Sequence, residues 1–279
     1  MNKPILAPAL FISHGAPTFA LAPGQLGANL GLLGQSLRGL RAVLVVSPHW
    51  QTTRVQVMST PAPQTIHDFS GFPPPLYQLQ YPAPGCPELA QVALELLGAA
   101  GIDAGFDAQR GFDHGAWTAL YHLLPAAQIP VFQLSMPYSL STTAAVALGQ
   151  ALAPLRQQGV ALIGSGGMTH NLYEFRQSAG PAEPYVLEFT HWVRRAVQTR
   201  QFDQLIRYRA IAPQAERAHP TEEHFLPLLV ALAASRADES CQCLGSEVTY
   251  AVLSMESYGW GLPGAGGGAA TGGVATVAS

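Results

Sequence analysis

The stretch AVLVVSPHW, residues 42–50, is an apolar run rich in β-branched residues that stops at Pro48 and presents His49. Such a run is typical of a buried strand in a parallel sheet. A second apolar run, residues 9–13, is followed directly by His14. Parallel strands bring their carboxyl ends to one edge of the sheet, where open α/β sheets bind ligands. The two runs therefore predict two buried strands whose histidines meet in a metal site.

Length and charge restrict the class of protein. The 279 residues suffice for one large α/β domain, and 48% are hydrophobic while only 11% are charged. This composition predicts a densely packed chain rather than a disordered one. The formal net charge of −3 provides no basic surface for a polyanion. Neither nucleic acid nor an anionic membrane is therefore expected as a partner.

The apolar runs and the cysteines bear on the compartment. The longest runs, such as residues 225–234, are far short of the roughly 20 residues that span a bilayer. No small-residue cleavage pattern precedes His14, so we expect a cytoplasmic protein. Three cysteines, Cys86, Cys241 and Cys243, are expected to be reduced structural thiols in that compartment.

Hydrophobic periodicity predicts strands and helices that alternate along the chain. Leucines spaced four, three and four residues apart predict a helix over residues 24–38, between strands at 9–13 and 42–46, and hence a right-handed crossover in a parallel sheet. Further strands are predicted at residues 55–59, 131–135, 160–164 and 247–256, the last at an edge, and further helices at 87–100, 116–124, 141–158, 185–199 and 221–234. We therefore expect a single-domain α/β fold over residues 1–260, with a mostly parallel central sheet flanked by helices, and a flexible Gly/Ala-rich tail over residues 261–279.

Three histidines, His14, His49 and His170, come just after apolar, strand-like runs. Each alone would more often be structural, but the shared position favours one site at the carboxyl edge of the sheet. His224 is predicted in the first turn of a helix that begins with Thr221 as its N-cap, where a ligand can reach it. Imidazole binds Fe(II), Zn(II), Cu(II) and Ni(II), so the ligand type does not choose the metal.

The residues around these histidines indicate an open site. Several histidines without nearby thiols argue against a closed structural zinc site, which is typically rich in cysteine. Asp68, Asp113 and Glu223 are candidates for orienting the histidines through hydrogen bonds, although each could equally be a surface charge or a helix cap. His219 is expected to be a surface or core-edge histidine.

Six motifs carry a family resemblance. They are SHGAP at residues 13–17, SPHW at 47–50, TIHDF at 65–69, GFDHG at 111–115, GGMTHN at 166–171 and PTEEHFLP at 220–227. In this order, over about residues 5–258, they resemble the class III extradiol ring-cleavage dioxygenases. The branch that they are most similar to is the DOPA extradiol dioxygenase (DODA) type.

The resemblance implies an enzyme that opens a catechol-type ring with O₂ at a mononuclear non-haem metal, with Fe(II) for ring cleavage and Zn(II) often bound in this branch. Carried over by motif, His14, His49 and His224 would be metal ligands. His170 would be the catalytic base and could approach the metal as a fourth ligand, and His114 would contact the substrate hydroxyl or the oxygen site. The partners implied are a small catechol and O₂, and a monomer or small homo-oligomer is expected.

The long loop over residues 60–87 is dense in proline and aromatic side chains. Ordered loops of this length are more often functional than idle. We predict that it forms a lid and an aromatic wall over the ring, with His67, Phe69 and Tyr77 binding substrate; a packed surface loop is the equal alternative. No Lys or Arg adjoins the candidate ligands, and Arg176 is a weak candidate for holding a substrate carboxylate.

His170 would act as the acid and base of the reaction. A pKa near neutrality would let it take a proton from a metal-chelating catechol and return it as the ring opens to a semialdehyde. Two alternatives use the same histidines. One is a zinc-dependent hydrolase, in which the metal lowers the pKa of bound water to ~7, and the other is a non-catalytic module that binds a ligand or peptide. A base-like His170 favours catalysis.

Overall fold

The computed structural model describes residues 6–175 and 180–263. The strands are β1 (Ala9–Ser13), β2 (Ala42–Thr52), β3 (Val55–Met58), β4 (Ala104–Asp107), β5 (Val131–Pro137), β6 (Val160–Gly166), β7 (Gln242–Gly245), β8 (Val248–Thr249), β9 (Leu253–Ser254) and β10 (Ser257–Trp260). The α-helices are α1 (Gly24–Ser36), α2 (Pro87–Ala99), α3 (His114–Leu123), α4 (Thr142–Leu152), α5 (Pro184–Gln198), α6 (Phe202–Ile206), α7 (Tyr208–Ile211), α8 (Ala215–Ala218) and α9 (Leu226–Ala234). Arg176 and the predicted tail from residue 264 onward lie outside the described residues.

Eight of the strands form one sheet in the order β4-β3-β5-β2-β6-β1-β10-β7. β1 and β2 both run parallel to β6, β5 runs parallel to β2, and β4 runs parallel to β3. The pairings of β10 with β1 and β7, and of β3 with β5, are antiparallel. The helix α9 packs against β6 and β1, and α3 packs against β2. The predicted α/β fold, a mostly parallel sheet flanked by helices, is confirmed.

The stretch AVLVVSPHW, residues 42–50, contains the buried middle of this sheet. Residues 42–46 are fully buried in β2, which lies between β5 and β6. A central parallel strand is covered on both faces, which explains an apolar run without alternation. β2 continues beyond the predicted end, and its register with β5 shifts between Val46 and Gln51. Irregular register of this kind changes the direction in which side chains point and is common next to binding sites. His49 lies within the irregular segment.

Two prolines move predicted helix bounds. The helix predicted over residues 141–158 ends at Leu152, and a 3₁₀ helix with Pro154 in its first turn continues to Gln158. The helix predicted over residues 221–234 begins only at Leu226, with Pro227 in its first turn. Proline lacks the N–H that a residue in the interior of a helix must donate. Within a helix it is therefore tolerated only in the first turn.

The predicted capping role of Thr221 is therefore wrong. Its hydroxyl donates to Glu223 Oε1 at 3.0 Å, and no side chain caps α9, whose N-cap position is Phe225. His224 lies in the turn that precedes α9 rather than in the first turn of the helix.

The predicted edge strand over residues 247–256 is also wrong. β8 and β9 pair there as a separate hairpin, and Tyr250 and Ala251 turn the chain with φ angles of 52° and 64°. β10 then joins the main sheet between β1 and β7. No helix in the described part of the chain combines the length and hydropathy of a membrane span.

Candidate metal centre

Three of the predicted ligands converge: His14 follows β1 directly, His49 lies in the irregular part of β2, and His224 lies in the turn before α9. The ligand-capable nitrogens of His14, His49 and His224 all lie within 4.8 Å of one another. His14 Nε2 and His49 Nε2 are 3.0 Å apart. The strands β1 and β2, which carry His14 and His49 at or near their ends, are not adjacent in the sheet, because β6 lies between them.

Glycines at the end of β6 let the turn that carries His224 approach the sheet. A Cβ on Gly164 would lie 2.0 Å from the carbonyl oxygen of Pro227, and one on Gly166 would lie 2.3 Å from that of His224. No side chain fits at such distances. The glycines of the GSGG run, residues 164–167, therefore allow the close packing that brings His224 to the other two histidines.

The hydrogen bonds of two candidate ligands, His14 and His224, fix their tautomers. Ser165 Oγ donates to the carbonyl oxygen of Gly115, so at its 2.9 Å contact with His14 Nδ1 it accepts the imidazole proton. His224 Nδ1 donates to the carboxylate of Glu223 at 2.9 Å. A neutral imidazole with a proton on Nδ1 has a lone pair on Nε2. His14 and His224 therefore both present Nε2 as a ligand atom, and Glu223 takes the orienting role that was considered for it.

The arrangement fits a bound cation. His224 Nε2 is buried without a hydrogen-bond partner, which is rare for a polar atom and calls for an explanation such as an ion. Two nitrogens bound to one ion at about 2.1 Å and at right angles are about 3.0 Å apart, which matches the separation of His14 Nε2 and His49 Nε2. Neutral imidazoles of this kind suit iron and zinc alike.

Asp68 holds a fourth histidine. Its Oδ1 accepts from the backbone N–H of His114 at 2.8 Å, and its Oδ2 accepts from His114 Nδ1 at 3.0 Å. The same Oδ2 lies 3.7 Å from His49 Nδ1. These hydrogen bonds help to lower the pKa of Asp68 to about 2, although its burial acts in the opposite direction. Asp68 is thus an orienting carboxylate for His114, whereas the carboxylate of Asp113 caps α3 through Ala116 N and accepts from Ser47, Arg110 and Gln133.

His170 faces the cluster from the side of His224. The two rings stack in parallel with centroids 3.4 Å apart. His170 Nδ1 and Nε2 do not group with those of His14 and His49, but one groups with Glu223 and His224. Burial, with a smaller effect of His114, lowers the pKa of His170 to about 4. The expected pKa near neutrality is therefore wrong for the metal-free protein, because the ring is too buried to hold a charge easily.

A cleft of about 370 Å³ opens onto these histidines. Three histidines line it, namely His49, His114 and His170, together with Gly15, Ala16, Pro17, Phe69, Ser70, Phe72, Leu172, Phe175 and Leu253. A volume of this size suits a small aromatic ligand. The sequence predicted only Phe69 among the wall residues. The wall residues that follow His14 and His170 in the sequence, such as Ala16 and Leu172, could have been predicted, because residues next to a site histidine in the chain also lie near the site.

Two predicted substrate-binding residues lie outside the cleft lining. His67 Nε2 donates to the carbonyl oxygen of Leu79 at 3.0 Å, and its ring packs against Phe69 and Tyr77. Tyr77 packs against Phe69 as well. Both therefore contact Phe69, which lines the cleft, and are not themselves among its lining residues.

His219 is fully buried, so the expectation of a surface or core-edge position is wrong. Its Nε2 donates to the carbonyl oxygen of Met168 at 2.9 Å, and its ring packs against Phe189 and Phe225.

The buried histidines predict how the stability of the metal-free protein depends on pH. Burial, followed by neighbouring histidines, lowers the pKa of His14 and His224 well below the usual 6.5, and burial lowers that of His49 to about 4. Below pH 6.5 these histidines bind protons in the unfolded chain but remain neutral in the folded protein. The free energy of unfolding should therefore fall between about pH 6.5 and 4, by about 1.4 kcal/mol per pH unit for each such group.

Denaturant unfolding of the metal-free protein at about pH 7 and about pH 5 measures this effect. A stability that stays constant over that interval would contradict the burial of neutral histidines.

Comparisons with known proteins cover nearly the whole chain. A model of the family described as the catalytic LigB subunit of aromatic ring-opening dioxygenase matches residues 34–261. The chain is 37% identical over 252 residues to a 4,5-DOPA dioxygenase extradiol of Beta vulgaris, which covers 89% of this chain and 94% of that protein. It is 37% identical over 256 residues to a protein of the same name from Escherichia coli K12, covering 90% of this chain and 93% of that one.

One solved structure agrees with the fold. The crystal structure of an uncharacterized protein from Escherichia coli K12 superposes with a TM-score of 0.75 at 31% sequence identity, and covers 91% of this chain and 99% of that chain.

Proposed function

We propose that this chain, which belongs to the family of the catalytic LigB subunits of aromatic ring-opening dioxygenases, opens its substrate with Fe(II) held by His14, His49 and His224. It is an extradiol ring-cleaving dioxygenase of the DODA type, as the six motifs predicted. Its substrates are a small catechol and O₂. The proposal concerns the metal, the residues that hold it and the roles of the other histidines.

One observation carries the metal assignment. His224 Nε2 is buried, unpartnered and unprotonated, and it lies within 4.8 Å of ligand nitrogens of His14 and His49. Iron(II) would supply the electron transfer that couples a catechol to O₂. Zinc cannot, because it has no second oxidation state, and we therefore propose Zn(II) only as an inactive occupant.

We propose that His170 takes the proton of a catechol hydroxyl and returns it during ring opening. The ring lines the cleft beside His224, and its lowered pKa means that it is unprotonated at neutral pH. An unprotonated imidazole within reach of the substrate can accept a proton directly. His170 could also approach the metal, since it stacks on the ring of His224.

His114 would orient the other side of the substrate. Because its Nδ1 donates to Asp68, its Nε2 presents a lone pair that can accept a hydrogen bond from a hydroxyl group. Phe69 packs edge-on against His114 at a centroid distance of 5.6 Å. The aromatic wall therefore starts directly beside the hydroxyl-binding histidine and would hold the ring in place and exclude water.

Metal exchange tests the proposal. Protein loaded with Fe(II) under anaerobic conditions and then given a catechol and O₂ should consume about one O₂ per ring opened and form a yellow semialdehyde. The zinc-loaded protein should bind the catechol but leave O₂ untouched. Equal turnover with both metals, or no O₂ uptake with iron, would refute the iron assignment.

No observation favours either alternative that the sequence left open. Ester hydrolysis by the zinc-loaded protein without O₂ would revive the hydrolase, and the binding of a catechol without turnover by the iron-loaded protein would revive the non-catalytic module.

Replacing Asp68 by Asn should lower kcat/KM by about 10- to 100-fold while the metal content stays unchanged. The amide can no longer accept both hydrogen bonds from His114, so the imidazole loses its fixed tautomer and orientation. Asp103→Asn is the matched control, because Asp103 is exposed and pairs only with Arg54 among the described side chains. Steady-state kinetics of both variants, with metal analysis, would decide; equal activities would show that Asp68 does not position His114.

Further proposals concern the whole protein. We propose that residues 1–260 act as one catalytic domain, because the main sheet contains both the first strand, β1, and the last strand, β10. A reducing compartment such as the cytoplasm agrees with the free thiols of Cys86, Cys241 and Cys243. A monomer or small homo-oligomer remains a prediction.

A further inference from the structure

A buried carboxylate lies behind the histidines of the site. Asp113 is fully buried, and its two oxygens accept four hydrogen bonds from the residues that the structure describes. Oδ1 accepts from Ser47 Oγ at 2.7 Å and from the backbone N–H of Ala116 at 3.2 Å. Oδ2 accepts from Gln133 Nε2 at 2.8 Å and from Arg110 Nη2 at 3.1 Å. An ionised carboxylate offers about four lone-pair sites, so these donors saturate it.

Two of these donors also hold the backbone of His49. The N–H of His49 donates to Ser47 Oγ at 3.3 Å, and its carbonyl oxygen accepts from Arg110 Nη2 at 3.1 Å. The register of β2 with β6 ends at Val46, and that of β2 with β5 resumes only at Gln51. His49 thus lies in a segment that the regular register of the sheet does not hold. The buried carboxylate holds both backbone groups of this residue, each through one intervening side chain.

The same carboxylate fixes the start of α3. Its hydrogen bond from Ala116 N caps the helix, whose first residue is His114. The rings of His49 and His114 have centroids 3.9 Å apart. A Cβ on Gly115 would lie 2.4 Å from Ser47 Oγ and 2.9 Å from His49 Cδ2, so the lack of a side chain there lets α3 pack closely against the irregular part of β2. One carboxylate therefore contacts the supports of two histidines of the site.

We propose that Asp113 is a positioning residue that holds the metal ligand His49 in register with His114. It acts through the hydroxyl of Ser47 and the guanidinium of Arg110, and thus on the backbone of the ligand rather than on its ring. The inference rests on the proposed function, since it takes His49 as a ligand. A ligand that is held in place before the ion arrives loses little further freedom on binding. Loss of such an outer hydrogen-bond partner typically weakens metal binding by about 10- to 100-fold.

The zinc affinity of an Arg110→Met variant tests the proposal without turnover. The variant loses the donor to the carbonyl oxygen of His49 but keeps an unbranched side chain that can lie against Trp50. The Kd for Zn(II), measured on the folded, metal-free protein by competition with a chelator, should rise by about 10- to 100-fold. Arg110→Lys keeps a cationic donor and should bind zinc more tightly than Arg110→Met. Arg54→Met, which removes an exposed guanidinium paired with Asp103, is the matched control and should leave the Kd unchanged.

An Asp113→Asn variant tests the carboxylate itself. The amide has one acceptor oxygen and one donor nitrogen, so it cannot accept hydrogen bonds on both sides. Its NH₂ group must face either the N–H of Ala116 or the guanidinium of Arg110, and neither can accept from it. The Kd for Zn(II) should therefore rise at least as much as in Arg110→Met. Circular dichroism shows whether this buried substitution folds, and Arg110→Met keeps the proposal testable if it does not.

A His49→Ala variant separates this inference from the proposed function. If His49→Ala loses zinc while the folded Arg110→Met protein binds it as tightly as the unchanged protein, the positioning role is refuted and the ligand assignment stands. A lower free energy of unfolding with an unchanged Kd would likewise reduce Asp113 to a structural role. If the Kd rises as expected but the iron-loaded protein opens no catechol in O₂, the positioning role is upheld and the proposed ring cleavage fails. Full zinc affinity in His49→Ala would overturn both.

Discussion

In the His224→Ala variant, tightly bound metal should fall from about one ion per chain to nearly none, and ring cleavage should fall to background. The variant removes the nitrogen that is buried without a partner, and it leaves the carboxylate of Glu223 without the imidazole that it holds. A site built from three neutral imidazoles cannot retain the ion tightly on two. Metal analysis after dialysis against a weak chelator measures the first effect, and O₂ uptake with a catechol measures the second.

The control for this variant is His191→Ala, which removes an exposed imidazole from α5. It should keep both metal and activity. Circular dichroism of the two variants would show that each is folded. Full metal occupancy in the folded His224→Ala protein would contradict the role of His224 as a ligand, and His14→Ala and His49→Ala should repeat its loss of metal.

The His170→Ala variant should separate metal binding from turnover. We expect it to keep most of its iron and to lose kcat by about 10²- to 10⁴-fold, the usual worth of a positioned acid or base. The reason is geometric, because the nitrogens of His170 do not group with those of His14 and His49, while the ring lines the cleft. Rapid-quench or stopped-flow measurement of ring opening, with iron analysis of the same sample, gives both quantities.

His170→Ala has a second readout that a merely structural role would not change. If His170 takes the catechol proton, anaerobic binding of a catechol to the variant should become more favourable as the pH rises, because the proton must leave to solvent. A pH profile identical to that of the unchanged protein would exclude the base role. Loss of iron from the variant would instead make His170 a required ligand.

The sequence alone was sufficient to predict the buried middle of the sheet, but it did not predict β4, β7 or β10. A run such as residues 42–46 has no alternation and is rich in β-branched residues, which favours a strand that is covered on both faces. The position of His14, His49 and His170 just beyond such runs then predicted a common edge, because parallel strands end together. The family resemblance supplied the proposed roles, including that of His224.

The remaining features depend on contacts between distant parts of the chain. The hydrogen bonds of Asp68 to His114 join residues 46 positions apart, and no local pattern distinguishes this carboxylate from a surface charge. The acceptor role of Ser165 depends on its bond to Gly115 O, which lies in another element. Similarly, Tyr77 was predicted to bind substrate because it lies in the aromatic loop, although it packs against Phe69 and is not among the residues that line the cleft.

Prolines and turns explain most errors in the helices and strands. Apolar periodicity extended α9 toward Thr221, but Pro227 must occupy the first turn of the helix. The strand predicted over residues 247–256 joined what are two short strands, Val248–Thr249 and Leu253–Ser254. Tyr250 and Ala251 have positive φ angles, which such residues rarely adopt, so local preference did not indicate the turn between the two strands.

The location of the metal is the most direct test of the account, because three groups of side chains in the described structure could hold one. The groups are His14, His49 and His224; His49, Asp68 and His114; and His170, Glu223 and His224. An anomalous difference map at the iron edge, from crystals of protein loaded anaerobically with Fe(II), would locate the ion. The account predicts a single peak about 2.1 Å from the Nε2 atoms of His14, His49 and His224. A peak bound to Asp68 and His114, or to His170 and Glu223, without His14 would contradict it.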